Sequence, residues 1–205
     1  MSPDMTVHVI DDDEAMRDSV AFLLDIQGFG VKLYDSGPSF LKAVPSLVGG
    51  CILTDIRMPD MTGLELIRRL KADGVDLPVI VMTGHGDVPL AVEAMKAGVV
   101  DFIEKPFSHT ALVSAVRAAL VSRGERGADD TPEQARLDAQ QKLADLSPRE
   151  RDVLAGVVAG KANKAIAFEL DISPRTVEIY RANLMAKTGA RHIAQLMRIA
   201  LAAGL

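Results

Sequence analysis

Side chains that could bind and accept a phosphoryl group follow apolar runs of this chain, where predicted strands end. Each run reads as a buried strand of four or five residues, and the polar residues come directly after it or close its end. The carboxyl ends of strands in an open parallel sheet share one edge, where ligands bind. We therefore expect one site formed by Asp11, Asp12, Asp55, Thr83 and Lys105.

The expected chemistry of this site is phosphoryl transfer assisted by a metal ion. Three carboxylates at one place repel each other, and a hard divalent cation removes that repulsion. Mg²⁺ prefers one or two carboxylates together with water and phosphate oxygens. Asp55 can act as the nucleophile and form an aspartyl phosphate. Lys105 would bring a positive charge to one phosphate oxygen, and Thr83 would give another a hydroxyl hydrogen bond.

The elements that must position the site alternate between strands and helices. Apolar residues at helical spacing follow each of five predicted strands. Such alternation is typical of an α/β doubly wound fold around a five-stranded parallel sheet. The predicted strands cover residues 6–10, 31–34, 51–54, 78–82 and 100–104.

The chain changes character after residue 123. Residues 124–132 contain Gly, Asp, Thr and Pro and little that could be buried, and residues 133–143 are polar with good helix formers but little apolar face. We predict a linker over 124–145, helical in part. From Leu146 the pattern is all-helical, so the expected domains are 1–123 and 146–205.

Charge and cysteine content narrow the expected partners. Residues 1–123 carry a net charge of −6, residues 124–141 carry −3, and residues 142–205 carry +4. An acidic body and a basic end suggest different partners. The only cysteine, Cys51, excludes a disulfide framework within one chain and fits the reducing cytoplasm. Apolar stretches are too short to cross a bilayer, so we expect a cytoplasmic protein without a membrane partner.

Two helices joined by a tight turn are predicted between residues 161 and 189, which is a helix-turn-helix pattern. The core side of the second helix would be Val177, Tyr180 and Leu184, which are spaced three and four residues apart. In this motif the second helix enters the major groove of DNA. The alternative is a small helical bundle with a solvated basic face.

The opposite face of the second helix offers groups that can contact base pairs. Glu178 can accept a hydrogen bond from cytosine N4, Asn183 can pair with adenine, and Ile179 can contact a thymine methyl group. The predicted base-reading face contains Arg175, Glu178, Ile179, Ala182 and Asn183. Phosphate contacts position a protein without specifying sequence. The residues better placed for them are Lys164, Thr176 and Lys187.

The motifs of residues 6–123 resemble the receiver domain of two-component response regulators. The segments that carry the resemblance are 11–12, 55–63, 82–84 and 101–106. The resemblance implies a flavodoxin-like fold in which Asp55 accepts phosphate from a histidine kinase. It implies that Asp12, Asp55 and the backbone carbonyl of Arg57 ligate Mg²⁺, while Asp11 acts largely through water.

The same resemblance assigns the parts of a switch. Thr83 and Lys105 would form the switch pair that responds to the phosphate. Phe102 stands where the family has an aromatic residue that turns inward on activation. Because phenylalanine lacks a hydroxyl, hydrogen-bond signalling from that ring is excluded.

Residues 146–203 resemble the LuxR-type DNA-binding domain through the segments 146–154, 163–167 and 176–187. This implies binding to promoter DNA, with the last helix, 191–203, mediating dimer contact. Glu178 is a departure, since the family often has a basic or polar residue there.

Both domains together, with the run 83–98, resemble the FixJ subfamily. That resemblance implies a transcriptional activator of nitrogen-fixation or microaerobic genes, driven by an oxygen-sensing histidine kinase. Its further expected partners are RNA polymerase and, on phosphorylation, a second copy of the chain.

Two other function classes compete with a phosphorylation-controlled regulator. A Mg²⁺-dependent phosphatase with an aspartyl-phosphate intermediate typically has a second Asp two residues after its nucleophile. Arg57 holds that position here, which argues against turnover, and we expect no enzyme. A pure interaction module with a vestigial acidic site is disfavoured by the intact Asp12, Asp55, Thr83 and Lys105. The sequence leaves the target DNA and the mode of inhibition open.

Overall fold

Strands and helices alternate through the first 124 residues of the computed structural model, which describes residues 5–84, 88–124, 132–190 and 193–205. The strands are β1 (Thr6–Ile10), β2 (Gly30–Tyr34), β3 (Cys51–Asp55), β4 (Val79–Thr83) and β5 (Asp101–Glu104). The helices between and after them are α1 (Glu14–Asp25), α2 (Gly37–Ala43), α3 (Gly63–Ala72), α4 (Val88–Lys96) and α5 (His109–Gly124), with a 3₁₀ turn over Val44–Ser46.

The five strands form one parallel sheet in the order β2-β1-β3-β4-β5. This confirms the expected doubly wound fold. Ile10 lies opposite Thr54, Asp55 opposite Met82, and Thr83 opposite Glu104, so four strands end at the same edge. That edge is where the candidate phosphoryl site was predicted.

The central strands β3 and β4 are buried along their whole length. Helices cover both faces of a parallel sheet, so its inner strands read as continuous apolar runs. Cys51 is fully buried at the start of β3, and burial raises the pKa of its thiol to about 12. Strand β4 begins one residue later than predicted, and the preceding Pro78 contributes only its carbonyl, which accepts from the Ile52 amide at 2.9 Å.

The rest of the chain is helical. The elements are α6 (Pro132–Ala144), α7 (Pro148–Val158), α8 (Asn163–Leu170), α9 (Pro174–Thr188) and α10 (Ile193–Ala203). Ser147 and Glu150 form a reciprocal capping box at the start of α7, and Ser173 caps α9, as their spacing to Pro148 and Pro174 suggests. Val153, Leu154, Val177, Leu184 and Leu196 are among the buried residues of these helices.

By its internal contacts the described chain divides into two compact units. The first includes residues 5–84 and 97–124, and the second includes 88–96, 132–190 and 193–205. Helix α4 thus groups with the second unit. Within the described ranges, no helix has the length and apolar character needed to cross a bilayer.

Part of the predicted linker is the regular helix α6, with more apolar packing than its composition suggests. Ala139 and Leu143 are buried, and Arg151 donates hydrogen bonds to the last carbonyls of α6, at 2.8 Å for Leu143 and 3.0 Å for Ala144. Three predicted segments lie outside the described residues: linker residues 125–131, residues 191–192 of the last helix, and residues 85–87 of the loop after Thr83.

Candidate functional site

Backbone hydrogen bonds hold together the strand ends that carry the candidate site. The Ile56 amide donates to the Met82 carbonyl at 3.0 Å, which ties the end of β3 to β4. The Lys105 amide donates to the Thr83 carbonyl at 2.7 Å, which ties the end of β4 to β5. Thr83 and Lys105 are therefore joined through the main chain.

Three carboxylates meet at this edge, as the sequence predicts. One oxygen from each of Asp11, Asp12 and Asp55 lies within 4.8 Å of the others. Asp11 is 1% exposed and Asp55 is 7% exposed, whereas Asp12 faces solvent. The Lys105 ammonium lies 2.7 Å from Asp11 Oδ2 and 3.0 Å from Asp55 Oδ1. Hard oxygen donors in this number and spacing fit a Mg²⁺ ion, and the lysine supplies a cation for phosphate oxygens.

Burial and hydrogen bonding have opposite effects on the pKa of Asp55, and likewise on the pKa of Lys105. Burial raises the pKa of Asp55 above its ordinary value, and the hydrogen bond from Lys105 offsets part of that rise. Burial alone would lower the pKa of Lys105, but its hydrogen bonds with Asp11 and Asp55 outweigh burial and raise it. The lysine therefore remains a cation at neutral pH beside the two carboxylates.

The loop between β1 and α1 is held by hydrogen bonds within the loop and by hydrogen bonds from Arg17 of α1. The Asp13 amide donates to Asp11 Oδ1 at 2.9 Å, and the Asp13 carboxylate accepts from the Met16 amide as the cap of α1. Arg17 Nη1 donates to the carbonyls of Asp11 at 2.8 Å and Asp12 at 3.1 Å. Arg17 is not among the site residues predicted from the sequence. Its position in the first turns of α1 was the available signal, because helical side chains lean towards the helix N-terminus.

The loop after β3 is fixed by close approach of the next helix. A Cβ on Gly63 would collide with the Asp55 carbonyl, so only glycine lets α3 begin this near the strand end. Thr62 and Glu65 cap α3 with a reciprocal box. The backbone amide of the exposed Arg57 donates to Asp55 Oδ2 at 3.2 Å, which places Arg57 beside the Asp55 carboxylate.

Thr83 and Phe102, the other predicted switch residues, are both buried. Thr83 ends β4 at the same edge as Asp55. Phe102 lies in β5 opposite Val81. The structure brings Thr83 to the site's edge, and the inward turn of Phe102 on activation stays a prediction.

The predicted base-reading face of α9 is exposed, as its periodicity predicts. Val177 and Leu184 are buried and Tyr180 is half-buried on the core side. The five predicted base-reading residues, Arg175, Glu178, Ile179, Ala182 and Asn183, are all exposed. Arg175 Nη1 lies 2.9 Å from Glu178 Oε2, so the Glu178 carboxylate already accepts a hydrogen bond on that face.

The predicted phosphate contacts do not form one group. Lys164 is exposed on α8, and Thr176 lies in the first turn of α9, where its amide donates to Ser173 Oγ at 3.0 Å. Lys187 lies near the other end of α9, 2.8 Å from Glu150 Oε2 and 3.3 Å from the Asp145 carbonyl. Its role on DNA stays a prediction, and its role within the helical unit is to pair with Glu150.

Two family models match the chain. The response regulator receiver domain matches residues 7–117, and the luxR family of bacterial regulatory proteins matches residues 144–200. Transcriptional regulatory protein FixJ of Bradyrhizobium diazoefficiens is 51% identical over 199 residues, covering 97% of this chain and 96% of that protein. FixJ of Azorhizobium caulinodans is 53% identical over 205 residues, covering 100% and 96%.

One solved structure resembles nearly the whole chain, and another resembles part of it. Full-length FixJ from B. japonicum shares 48% identity and covers 99% of this chain and 98% of its own, with a TM-score of 0.57. A structure titled FixJ-N shares 52% identity and covers 58% of this chain and 94% of its own, with a TM-score of 0.56.

Proposed function

Because this chain belongs to the FixJ-type response regulators, which join a receiver domain to a LuxR-type DNA-binding domain, we propose that phosphorylation of Asp55 switches on its activity as a transcriptional activator. The observation that carries the proposal is the Lys105 ammonium, which lies between the Asp11 and Asp55 carboxylates at one edge of the sheet. A phosphoryl group on Asp55 would meet that cation directly. We keep 1–123 and 146–205 as the proposed domain boundaries.

Asp55 is the proposed nucleophile. One carboxylate oxygen attacks the phosphorus of a phosphohistidine on the partner kinase, the P–N bond breaks, and an aspartyl phosphate forms. Asp12, Asp55 and the Arg57 carbonyl would hold Mg²⁺, which when bound supplies positive charge to the phosphoryl oxygens. Lys105 contacts a phosphoryl oxygen and thereby gives up part of its pairing with the carboxylates. Catalytic turnover is not part of the proposal, since Arg57 occupies the place where a phosphatase would have its second Asp.

The proposed switch acts through Thr83 and Lys105. A phosphoryl group adds roughly −1.5 to −2 charges and three acceptor oxygens at the strand edge. Thr83 would donate its hydroxyl to one oxygen while Lys105 pairs with another. Because the Lys105 amide donates to the Thr83 carbonyl, a shift of either residue pulls on both β4 and β5. The change would then reach Phe102, α4 and α5, which supply the two-state element that allostery requires.

The proposed output is promoter binding by a dimer. Helix α9 would enter the major groove with the face that contains Ile179 and Asn183, and α10 would contribute to dimer contact on DNA. The unphosphorylated receiver would restrain either the DNA-binding helix or dimerisation. By analogy with the FixJ relatives, we propose an oxygen-sensing histidine kinase as input, nitrogen-fixation or microaerobic genes as targets, RNA polymerase as a partner and the cytoplasm as location.

Beryllofluoride, which mimics the aspartyl phosphate, tests this function in the full chain. We expect it to raise the sedimentation coefficient towards that of a dimer and to tighten binding to a candidate promoter fragment. Asp55→Asn should respond in neither assay. If beryllofluoride changes neither sedimentation nor DNA binding of the wild-type chain, the proposed switch is wrong.

A further inference from the structure

Arg17 has a geometry that the phosphoryl chemistry described above does not use. It lies in α1, half-buried, and its Nη1 atom donates to two backbone carbonyls at once, those of Asp11 and Asp12. Its own amide closes the first turn of the helix by donating to the Asp13 carbonyl at 3.0 Å. One guanidinium nitrogen therefore ties the peptide groups of both acidic residues to a rigid helix.

The two acidic residues need such support to different degrees. Asp11 is buried, and its carboxylate accepts from the Asp13 amide and from Lys105. Asp12 is exposed and follows the end of β1, outside the sheet ladder. The Arg17 hydrogen bond to the Asp12 carbonyl, at 3.1 Å, fixes the backbone from which that carboxylate projects towards Asp55. Fixing the backbone in advance lowers the entropy lost when a ligand binds.

We propose that Arg17 is a positioning residue for the divalent-cation site: its guanidinium holds the Asp11 and Asp12 carbonyls so that the Asp12 carboxylate is preset as a ligand. The inference rests on the proposed function, because it requires Asp12 and Asp55 to bind the ion. Groups that orient metal ligands typically contribute about 10- to 100-fold to metal affinity.

The direction in which Mg²⁺ affinity changes on removal of Arg17 distinguishes a positioning role from a purely electrostatic one. Arg17 is a cation bonded to the backbone of two of the three acidic residues, so as a charge alone it disfavours a second cation, and its neutralisation would tighten Mg²⁺ binding. As a positioning residue it favours the ion, and its removal weakens binding. The two roles therefore predict opposite changes in the dissociation constant.

The test is a Mg²⁺ titration of the full chain. Binding is measured from the backbone amide chemical shifts of residues around Asp55. Arg17→Met keeps the aliphatic stem and helix propensity but removes the donors and the charge. We expect it to raise the Mg²⁺ dissociation constant about tenfold. Arg17→Lys keeps the charge and a donor group, and should recover part of the affinity. An unchanged or lower dissociation constant in Arg17→Met overturns the proposal.

Control variants keep the outcomes distinct. Arg69→Met removes the same charge from an exposed ion pair with Asp73 on α3, and should leave Mg²⁺ affinity unchanged. Asp12→Asn and Asp55→Asn should each greatly weaken Mg²⁺ binding, and wild-type affinity in both would refute the proposed cation site itself. If Arg17→Met does not fold in a urea titration, Arg17→Gln replaces it. Weaker binding in that variant again supports positioning, and unchanged or tighter binding again overturns it.

Discussion

The acidic site of the receiver and the predicted base-reading face of α9 differ in the number of elements that fix their side chains. The acidic site draws residues from the ends of four strands, and Lys105 cross-links two of its carboxylates within 3.0 Å. The base-reading face lies on a single helix, is exposed throughout, and has one described ion pair, between Arg175 and Glu178.

This difference indicates how each region should respond to substitution. In the acidic site every group depends on its neighbours, so removal of one charge changes the whole cluster. On the exposed face of α9, apart from the Arg175–Glu178 ion pair, the side chains project separately from a helix that is held by its opposite, buried face. We expect all-or-none losses in the first region and graded, separable losses in the second.

The largest expected effect is at Asp55. Asp55→Asn removes the nucleophile, so acetyl phosphate should leave no phosphate on the protein, as measured by intact mass. Asp60→Asn, the same change at an exposed residue five positions later, is the matched control and should be phosphorylated normally. Full incorporation of phosphate into Asp55→Asn would contradict the assignment of the acceptor.

The two faces of α9 should separate stability from recognition. Leu184 is fully buried, so Leu184→Ala should lower the free energy of unfolding by about 2–5 kcal/mol in urea titrations. Ile179 is 51% exposed, and Ile179→Ala should change the free energy of unfolding by less than about 0.5 kcal/mol. Equal destabilisation by both would show that α9 is not packed as described.

Base and phosphate contacts should differ in their dependence on DNA sequence. Asn183→Ala should weaken binding to the specific promoter site by about 1–3 kcal/mol and hardly alter binding to unrelated DNA. Lys164→Ala should weaken both and reduce the salt slope by about 1. Fluorescence anisotropy at several salt concentrations measures both quantities. Uniform weakening by Asn183→Ala would assign that residue to the phosphate backbone instead.

The smallest expected effect concerns the ion pair between Lys187 and Glu150, which belongs neither to the acidic site nor to the predicted base-reading face. The hydrogen bond from Lys187 lowers the pKa of Glu150. The pair therefore stabilises the fold fully at pH values above the ordinary glutamate pKa, and this stabilisation is lost as the pH falls through the lowered pKa. Lys187→Met should lower the urea midpoint at pH 7, and the difference from wild type should shrink below about pH 4.3.

Lys161→Met is the matched control for that pair. Lys161 pairs with Glu169 at 2.6 Å, but the Glu169 side chain is 49% exposed whereas that of Glu150 is 5% exposed. Loss of Lys161 should therefore change the urea midpoint very little at any pH. A difference between Lys187→Met and wild type that is constant from pH 7 to pH 3 would mean that Glu150 is not the group involved.

Sequence patterns predict the fold and the acidic site well because both follow from local rules. Buried parallel strands are apolar runs, and their carboxyl ends must meet at one edge, which brings Asp11, Asp55 and Lys105 together. Helix α8 matches its predicted bounds because Asp171, in the left-handed region at φ 53°, and the Ser173 cap stop and restart the helix.

Features that depend on distant residues could not be predicted in this way. Lys187 looks like a phosphate contact by its position on α9, but its ammonium meets Glu150, 37 residues earlier. The sequence of α6 has few apolar residues on any one face. Leu143 is nevertheless buried, because neighbouring helices of the second unit cover it. The exposed face of α9 follows from periodicity, whereas the bases it contacts depend on DNA geometry.

The single thiol of the chain provides a built-in reporter of sheet opening. Cys51 is inaccessible at the start of the central strand, and its pKa of about 12 leaves almost no reactive thiolate at neutral pH. A disulfide reagent such as DTNB can therefore label the chain only during excursions in which β3 leaves its neighbours. The labelling rate in mild urea measures how often that happens, without any engineered probe, and it allows the receiver's opening to be followed while DNA is bound.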